Sequence, residues 1–214
     1  MTARAKESVL FASSAVFTAA SAALYVTGHD SVQLITCFLA SLCLTVSAHF
    51  ASAPKQAKKR IIAACVIYTA GILAATVFRR NAGFIFTYAE KAEWLKAHIE
   101  WKPFGRVKYY CKHIYSSEFL NCFTNLFGNL AVFVPFSLFL PKIFGKANTR
   151  GGFFAMMMGL LLFVEIGELV FMSGFFDVDD IMLNLGGAWI AYELLQKDVT
   201  KESVDEKLRL TQKG

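Results

Sequence analysis

The sequence predicts an all-α integral membrane protein, a bundle of six transmembrane helices with an amphipathic interfacial helix between the third and the fourth. Three observations predict it. Of 214 residues, 56% are hydrophobic and only 18% charged, with 21 phenylalanines, which is more apolar surface than a soluble domain of this size can cover. Five apolar runs are each about as long as the 20 helical residues needed to cross ~30 Å of hydrocarbon, where only a helix or a closed barrel satisfies its own backbone. The lysines and arginines fall between those runs, in alternate connections.

The first run, Ser8 to Gly28, follows Arg4 and Lys6 as a secretory signal would, but it is long enough to span and reads as a retained helix. The next four run from Ser31 to Ala53, Ile61 to Phe78, Phe119 to Leu140 and Phe153 to Ser173, and the first four of the five contain no Asp, Glu, Lys or Arg. A sixth, Asp180 to Gln196, is short, polar at its start and glycine-rich; a tightly packed span and a partly re-entrant segment both fit it. Basic residues at Arg4 and Lys6, at Lys55 to Arg60, at Lys142 to Arg150 and after Lys197 mark the inner side, so both termini are expected in the cytoplasm.

The long connection from Arg79 to Glu118 carries eight basic residues, yet long segments cross despite their charge. Within it Ile85, Tyr88, Ala92, Leu95 and Ile99 recur at helical spacing, opposite Glu90, Lys91, Glu93, Lys96 and Glu100. Trp94 and Trp101 suit the headgroup level, so this helix is expected on the outer surface, although a solvated linker has the same pattern. The expected organisation is a three-helix region at 1–80, an extracytoplasmic connection at 81–118, a transmembrane core at 119–196 and a charged, mobile cytoplasmic tail at 197–214.

Composition also excludes function classes. The net charge of +6 is scattered among the connections instead of forming one stripe, which argues against nucleic acid. Cys37, Cys43, Cys65, Cys111 and Cys122 form no C-x-x-C pair and have no His at metal-ligand spacing, so neither a disulfide framework, a metal site nor a cofactor is expected. No nucleophile motif or phosphate-cradling loop is present.

Charged and amide side chains are costly at membrane depth, and here they gather in one layer. Asn125 and Asn129 share a face of the fourth span, roughly 9 and 15 Å below its outer end. Glu165 and Glu168 share a face of the fifth, roughly 12 and 8 Å below its outer end. The sixth begins with Asp177, Asp179 and Asp180, and Asn184 follows one turn later. Two carboxyls a turn apart in low dielectric are not both comfortably ionised. Structural readings stand beside the functional one: the asparagines suit interhelical hydrogen bonding, Asp177 with Asp180 suits a helix N-terminus, and Gly186 and Gly187 suit close helix approach.

The stretch NLFGNLAVFVPFSLFLP from Asn125 to Pro141, then Glu165, then FFDVDDIMLNLGGAWIAY from Phe175 to Tyr192, resembles the VanZ-like family of bacterial membrane proteins. Trp101-Lys102-Pro103-Phe104 looks like the Pro-Phe segment preceding these motifs in that family. The resemblance covers about Pro103 to Leu195 and maps the family pattern onto Asn125, Asn129, Phe133, Pro135, Glu165, Asp177, Asp180, Asn184 and Gly187. It departs at Ser137 and Ala191, where glycine is usual, at Glu168, commonly Gln, and at Gly174, commonly Arg.

The resemblance implies association with resistance to glycopeptide antibiotics, especially lipid-bearing ones such as teicoplanin. The expected function is a non-enzymatic, outward-facing polar pocket of Asn125, Asn129, Glu165, Glu168, Asp177, Asp180 and Asn184, with Lys102 and Arg106 as headgroup contacts. Its expected partner is an amphiphile such as a membrane lipid, a cell-wall lipid or a lipopeptide antibiotic. Alternatives are an enzyme acting on a lipid-linked envelope substrate through Glu165 and Asp180, and a proton-coupled transporter using Glu165.

Overall fold

The computed structural model describes the backbone of residues 3–27, 30–78, 88–113 and 119–211; the side chains of 3–4, 27, 30–32, 88–91, 121, 124 and 198–211 lie outside the description. The described chain is almost wholly helical: α1 (Ala3–Thr27), α2 (Asp30–His49), α3 (Pro54–Ala75), α4 (Tyr88–Ala97), α5 (Gly105–His113), α6 (Phe119–Val132), α7 (Phe136–Ile143), α8 (Arg150–Val170) and α9 (Val178–Thr211). Two short strands, β1 (Ile99–Glu100) and β2 (Phe176–Asp177), pair in parallel, Ile99 with Phe176 and Glu100 with Asp177. Among the described residues three stretches are long and apolar enough to cross a membrane, Ala5–Val26, Asn125–Ile143 and Arg150–Val170, and Gln33–His49 is a shorter apolar helix.

The chain divides into two compact units. The first comprises Met1–Trp101 with Leu162–Asp177. Its core is the α1–α2–α3 bundle, where Cys37, Ala40, Leu44, Ala64, Tyr68 and Ile72 are buried. Small polar side chains bind the helices together: Ser41 Oγ donates to Ala64 O at 2.9 Å, and Ser21 Oγ lies 2.8 Å from Cys37 Sγ. Pro54 starts α3, where its missing N–H and fixed φ cost nothing. Near that end Arg60 Nη2 meets Glu7 Oε1 at 2.5 Å, and at the other Tyr25 Oη donates to Phe78 O at 3.2 Å.

The second unit comprises Lys102–Leu161 with Val178–Gly214. The single span expected from Phe119 to Leu140 is here two helices, α6 and α7. Pro135 has no N–H to return to Ala131, and the backbone turns through shorter i−3 bonds, Val134 N to Ala131 O and Phe136 N to Phe133 O, both 3.1 Å. The sixth segment is longer than expected: α9 starts at Val178 and continues through what the sequence reads as a mobile tail, to Thr211. Phe153 stacks on Tyr192 at 4.1 Å, Tyr192 Oη donates to Asn148 O at 3.0 Å, and Arg150 forks onto the Glu193 carboxylate at 2.7 and 2.8 Å.

The glycine pair in α9 is asymmetric. A Cβ on Gly187 would fall 1.7 Å from the Leu130 carbonyl oxygen of α6, whereas one on Gly186 would meet nothing within 4 Å. Gly187→Ala is therefore expected to destabilise the protein by about 2–3 kcal/mol through overpacking against backbone, and Gly186→Ala by less than about 0.5 kcal/mol. Thermal unfolding of both variants in detergent checks this, and equal melting temperatures would refute the close α6–α9 approach.

Candidate functional site

Backbone N–H groups in the first turn of a helix have no carbonyl to bond within it, and carry the positive end of the helix dipole. In α5 those groups are satisfied from α9. One Asp179 oxygen accepts from Phe104 N–H, and the other accepts from Arg106 N at 2.8 Å and Val107 N at 3.2 Å. Asp179 is 1% exposed. Phe104 has φ 65°, a left-handed conformation that costs a bulky residue about 1–3 kcal/mol, and the carboxylate holds the backbone there.

Asp180, the next residue, faces a different set. Asn129 Nδ2 of α6 donates to Asp180 Oδ1, and Arg106 Nη1 lies 3.4 Å from Asp180 Oδ2. α5, α6 and α9 therefore converge on one acidic turn. Asn184 follows Asp180 by one turn on the same face, and Gly187 follows Asn184 on that face toward Leu130. The Asn184 side chain is 5% exposed, and its Oδ1 has no hydrogen-bond partner among the described residues. A buried acceptor left unmatched costs about 1–3 kcal/mol, so this oxygen is an exception that asks for a donor.

A second polar cluster lies within the first unit. Glu165 is 6% exposed and its Oε2 accepts from Asp177 N at 3.2 Å; Asp177 itself is fully buried. Glu168, half-buried, packs on the turn below α8, where a Cβ on Gly174 would sit 1.9 Å from its Oε2. Trp94 stacks on His98 at 4.0 Å, and His98 on Phe175 at 4.3 Å, so a ladder of rings ties α4 to the segment before β2. A groove of about 300 Å³ beside α3 and α8, lined by Leu73, Val77, Phe163, Ile166 and Phe171 among others, is almost wholly apolar.

The sequence-predicted residues are thus partly brought together. Asn129 and Asp180 touch, Glu165 and Asp177 touch, and Asn184 is buried beneath Asp180 on its helix face. Asn125 is exposed on α6, and Lys102 is exposed ahead of α5. Arg106 turns to Asp180. The acidic turn therefore has a cationic partner even though Gly174 stands where the resembling family commonly has Arg. The capping role of Asp179, which the sequence reading named only as part of the polar layer, and α5 itself are the pieces it missed. Pro103 and Gly105 flank the start of α5, but nine residues are too few for a helical period to stand out. The expected amphipathic helix is α4, shorter than predicted: Ile85 lies outside the described residues, and Ile99 and Glu100 belong to β1. Among the described residues no three His, Cys, Asp or Glu side chains are placed to hold a metal ion.

The family model for VanZ/LLP1 matches residues 63–197. The chain belongs to the VanZ-like family. The match reaches upstream of the Pro103 boundary expected from the motifs and takes in most of α3 of this VanZ-like protein. No curated protein and no solved structure matched the chain. The two departures from the family pattern at Glu168 and Gly174 prove to be neighbours, the glycine leaving the space that the glutamate carboxylate fills.

Asp179→Ala removes the acceptor of three helix-terminal N–H groups and is expected to cost about 2–3 kcal/mol. Hydrogen exchange checks it locally: the Arg106 and Val107 amides should exchange at least about tenfold faster, and unchanged exchange would refute the capping role.

Proposed function

We propose that this VanZ-like protein is a six-span membrane protein, with both termini in the cytoplasm, that binds an amphiphile at its acidic turn. The ligand class is a membrane or cell-wall lipid or a lipid-bearing glycopeptide such as teicoplanin, and binding contributes to glycopeptide resistance. The observation that carries the reading is the buried, unmatched Asn184 Oδ1 on the same helix face as Asp180, in a site built by three helices. Within a span, such a group is expensive unless a ligand completes it.

Several contacts support the topology. Glu7 and Arg60 bring the beginnings of α1 and α3 to one level, and Tyr25 with Phe78 does the same for their ends. Phe78 meets Phe171 edge to face at 4.9 Å, so α3 and α8 end on the same side, as the third and fifth of six alternating spans would. The β1–β2 pair and the Trp94–His98–Phe175 ladder fasten the connection after α3 to the outer end of α8, and α4 lies at the interface there. The half-buried Ala92, Trp94 and Leu95, opposite the exposed Glu93 and Lys96, suit that position.

The enzymatic alternative gains no specific observation. Asp179 is committed to backbone amides and Asp180 to Asn129 and Arg106, which leaves neither poised for proton transfer.

Asn184→Leu separates function from folding. Removing an unmatched acceptor leaves stability unchanged or slightly raised, while losing a hydrogen bond to the ligand weakens binding about tenfold. The measurements are teicoplanin susceptibility of a sensitive host expressing each form, and binding of a fluorescent teicoplanin conjugate to the purified protein. Wild type should raise resistance and bind; Asn184→Leu and Asp180→Ala should do so less. A wild-type protein that changes neither susceptibility nor binding removes the antibiotic form of the proposal.

A further inference from the structure

The connection from α5 to the next span is rich in positive charge on what the topology makes the outer side, and the acidic site does not use most of it. From Trp101 to Ser117 there is no Asp or Glu, and Lys102, Arg106, Lys108 and Lys112 all fall in that stretch. The α5 helix divides these residues between two faces. Arg106, Val107, Tyr110 and His113, at helical spacing, are half-buried, and Arg106 is bound to Asp180. Lys108, Tyr109, Cys111 and Lys112 are exposed, with Lys102 and Phe104 exposed just ahead of them.

The orientation of this face is fixed. Three bonds from Asp179 hold the α5 N-terminus, and Arg106 adds a fourth tie through Asp180, so Lys108 and Lys112, on the opposite side of the helix, face away from the acidic turn. α5 ends at His113, and six residues later Phe119 begins the helix leading into the candidate span Asn125–Ile143. Lysines on one side, with Phe104 and Tyr109 beside them, match a bilayer surface: ammonium groups meet phosphates while aromatic rings settle at the headgroup level.

We propose that the exposed face of α5, Lys102, Lys108 and Lys112 with Phe104 and Tyr109, docks on the anionic phospholipid headgroups of the protein's own membrane. Anionic lipid concentrates there through charge, each lysine contributing about fivefold to the partition. The proposal does not rest on what the acidic turn binds, because Lys108 and Lys112 lie on the face of α5 opposite Arg106.

Cys111 provides a reporter inside the face. It is the exposed cysteine, whereas Cys37 and Cys122 are buried and Cys43 and Cys65 are half-buried, so brief treatment of the full chain with a nitroxide reagent labels Cys111 first. Cys111→Ser supplies the blank. The labelled protein is reconstituted into phosphatidylcholine vesicles, with or without one part in three of phosphatidylglycerol. Collision rates with oxygen and with a water-soluble nickel chelate then give the label's depth. The expected result is a ratio of oxygen to nickel collisions several-fold higher with phosphatidylglycerol, falling to the phosphatidylcholine value at about 1 M salt, where screening shortens to ~3 Å. Lys102→Gln, Lys108→Gln and Lys112→Gln together should remove the difference between the two vesicles. Equal ratios in the two vesicles for the wild type, or a difference that survives high salt, would overturn the proposal without relying on any variant's folding.

Discussion

A single carboxylate, Asp179, sets the geometry of the second unit. Its two oxygens take up three N–H groups at the start of α5, and they do so from the first turn of α9. The acid thus serves two helix ends: it lies in the favourable first turn of α9 and supplies the acceptor that α5 lacks. A buried carboxylate is costly when bare, and partial positive charge at a helix N-terminus offsets that cost without another ionised side chain. The α5 helix is thereby held at the top of α9, which carries Arg106 to Asp180. Without Asp179, Phe104 would relax from its left-handed conformation and Arg106 would lose its aim.

Much of this was legible in the sequence where periodicity and charge act alone. The apolar runs, the family motifs and the shared faces of Asn129, Asp180 and Asn184 follow from spacing, and the contact between Asn129 and Asp180 realises them. What spacing cannot express is a bond between a side chain and a distant backbone. The Asp177–Asp180 turn reads locally as the cap of its own helix, and nothing in a one-dimensional pattern says that Asp179 caps another helix 73 positions away from Arg106. The break at Pro135 was visible as a residue yet hidden in effect, since apolar character continues across it and hydropathy ignores a missing N–H.

The two clusters also divide the labour that sequence assigned to one layer. Glu165 and Glu168 share a face of α8, but their carboxylates answer to different groups: Glu165 to the backbone of Asp177, Glu168 to the turn at Gly174. The exchange of side chains at 168 and 174 relative to the family pattern is then one local change. A larger residue at 174 would have to enter the space that Glu168 Oε2 occupies, so glutamate and glycine belong together.

The charge balance of the acidic turn limits what it can recognise. Asp179 is met by helix-end N–H groups and Asp180 by Arg106 and Asn129, so both carboxylates already have partners within the second unit. The remaining polar group, the Asn184 carbonyl, carries no formal charge and accepts hydrogen bonds. A ligand of the proposed class would meet this oxygen with a hydroxyl or an amide N–H. Sugars, peptide backbones and glycerol headgroups carry such donors.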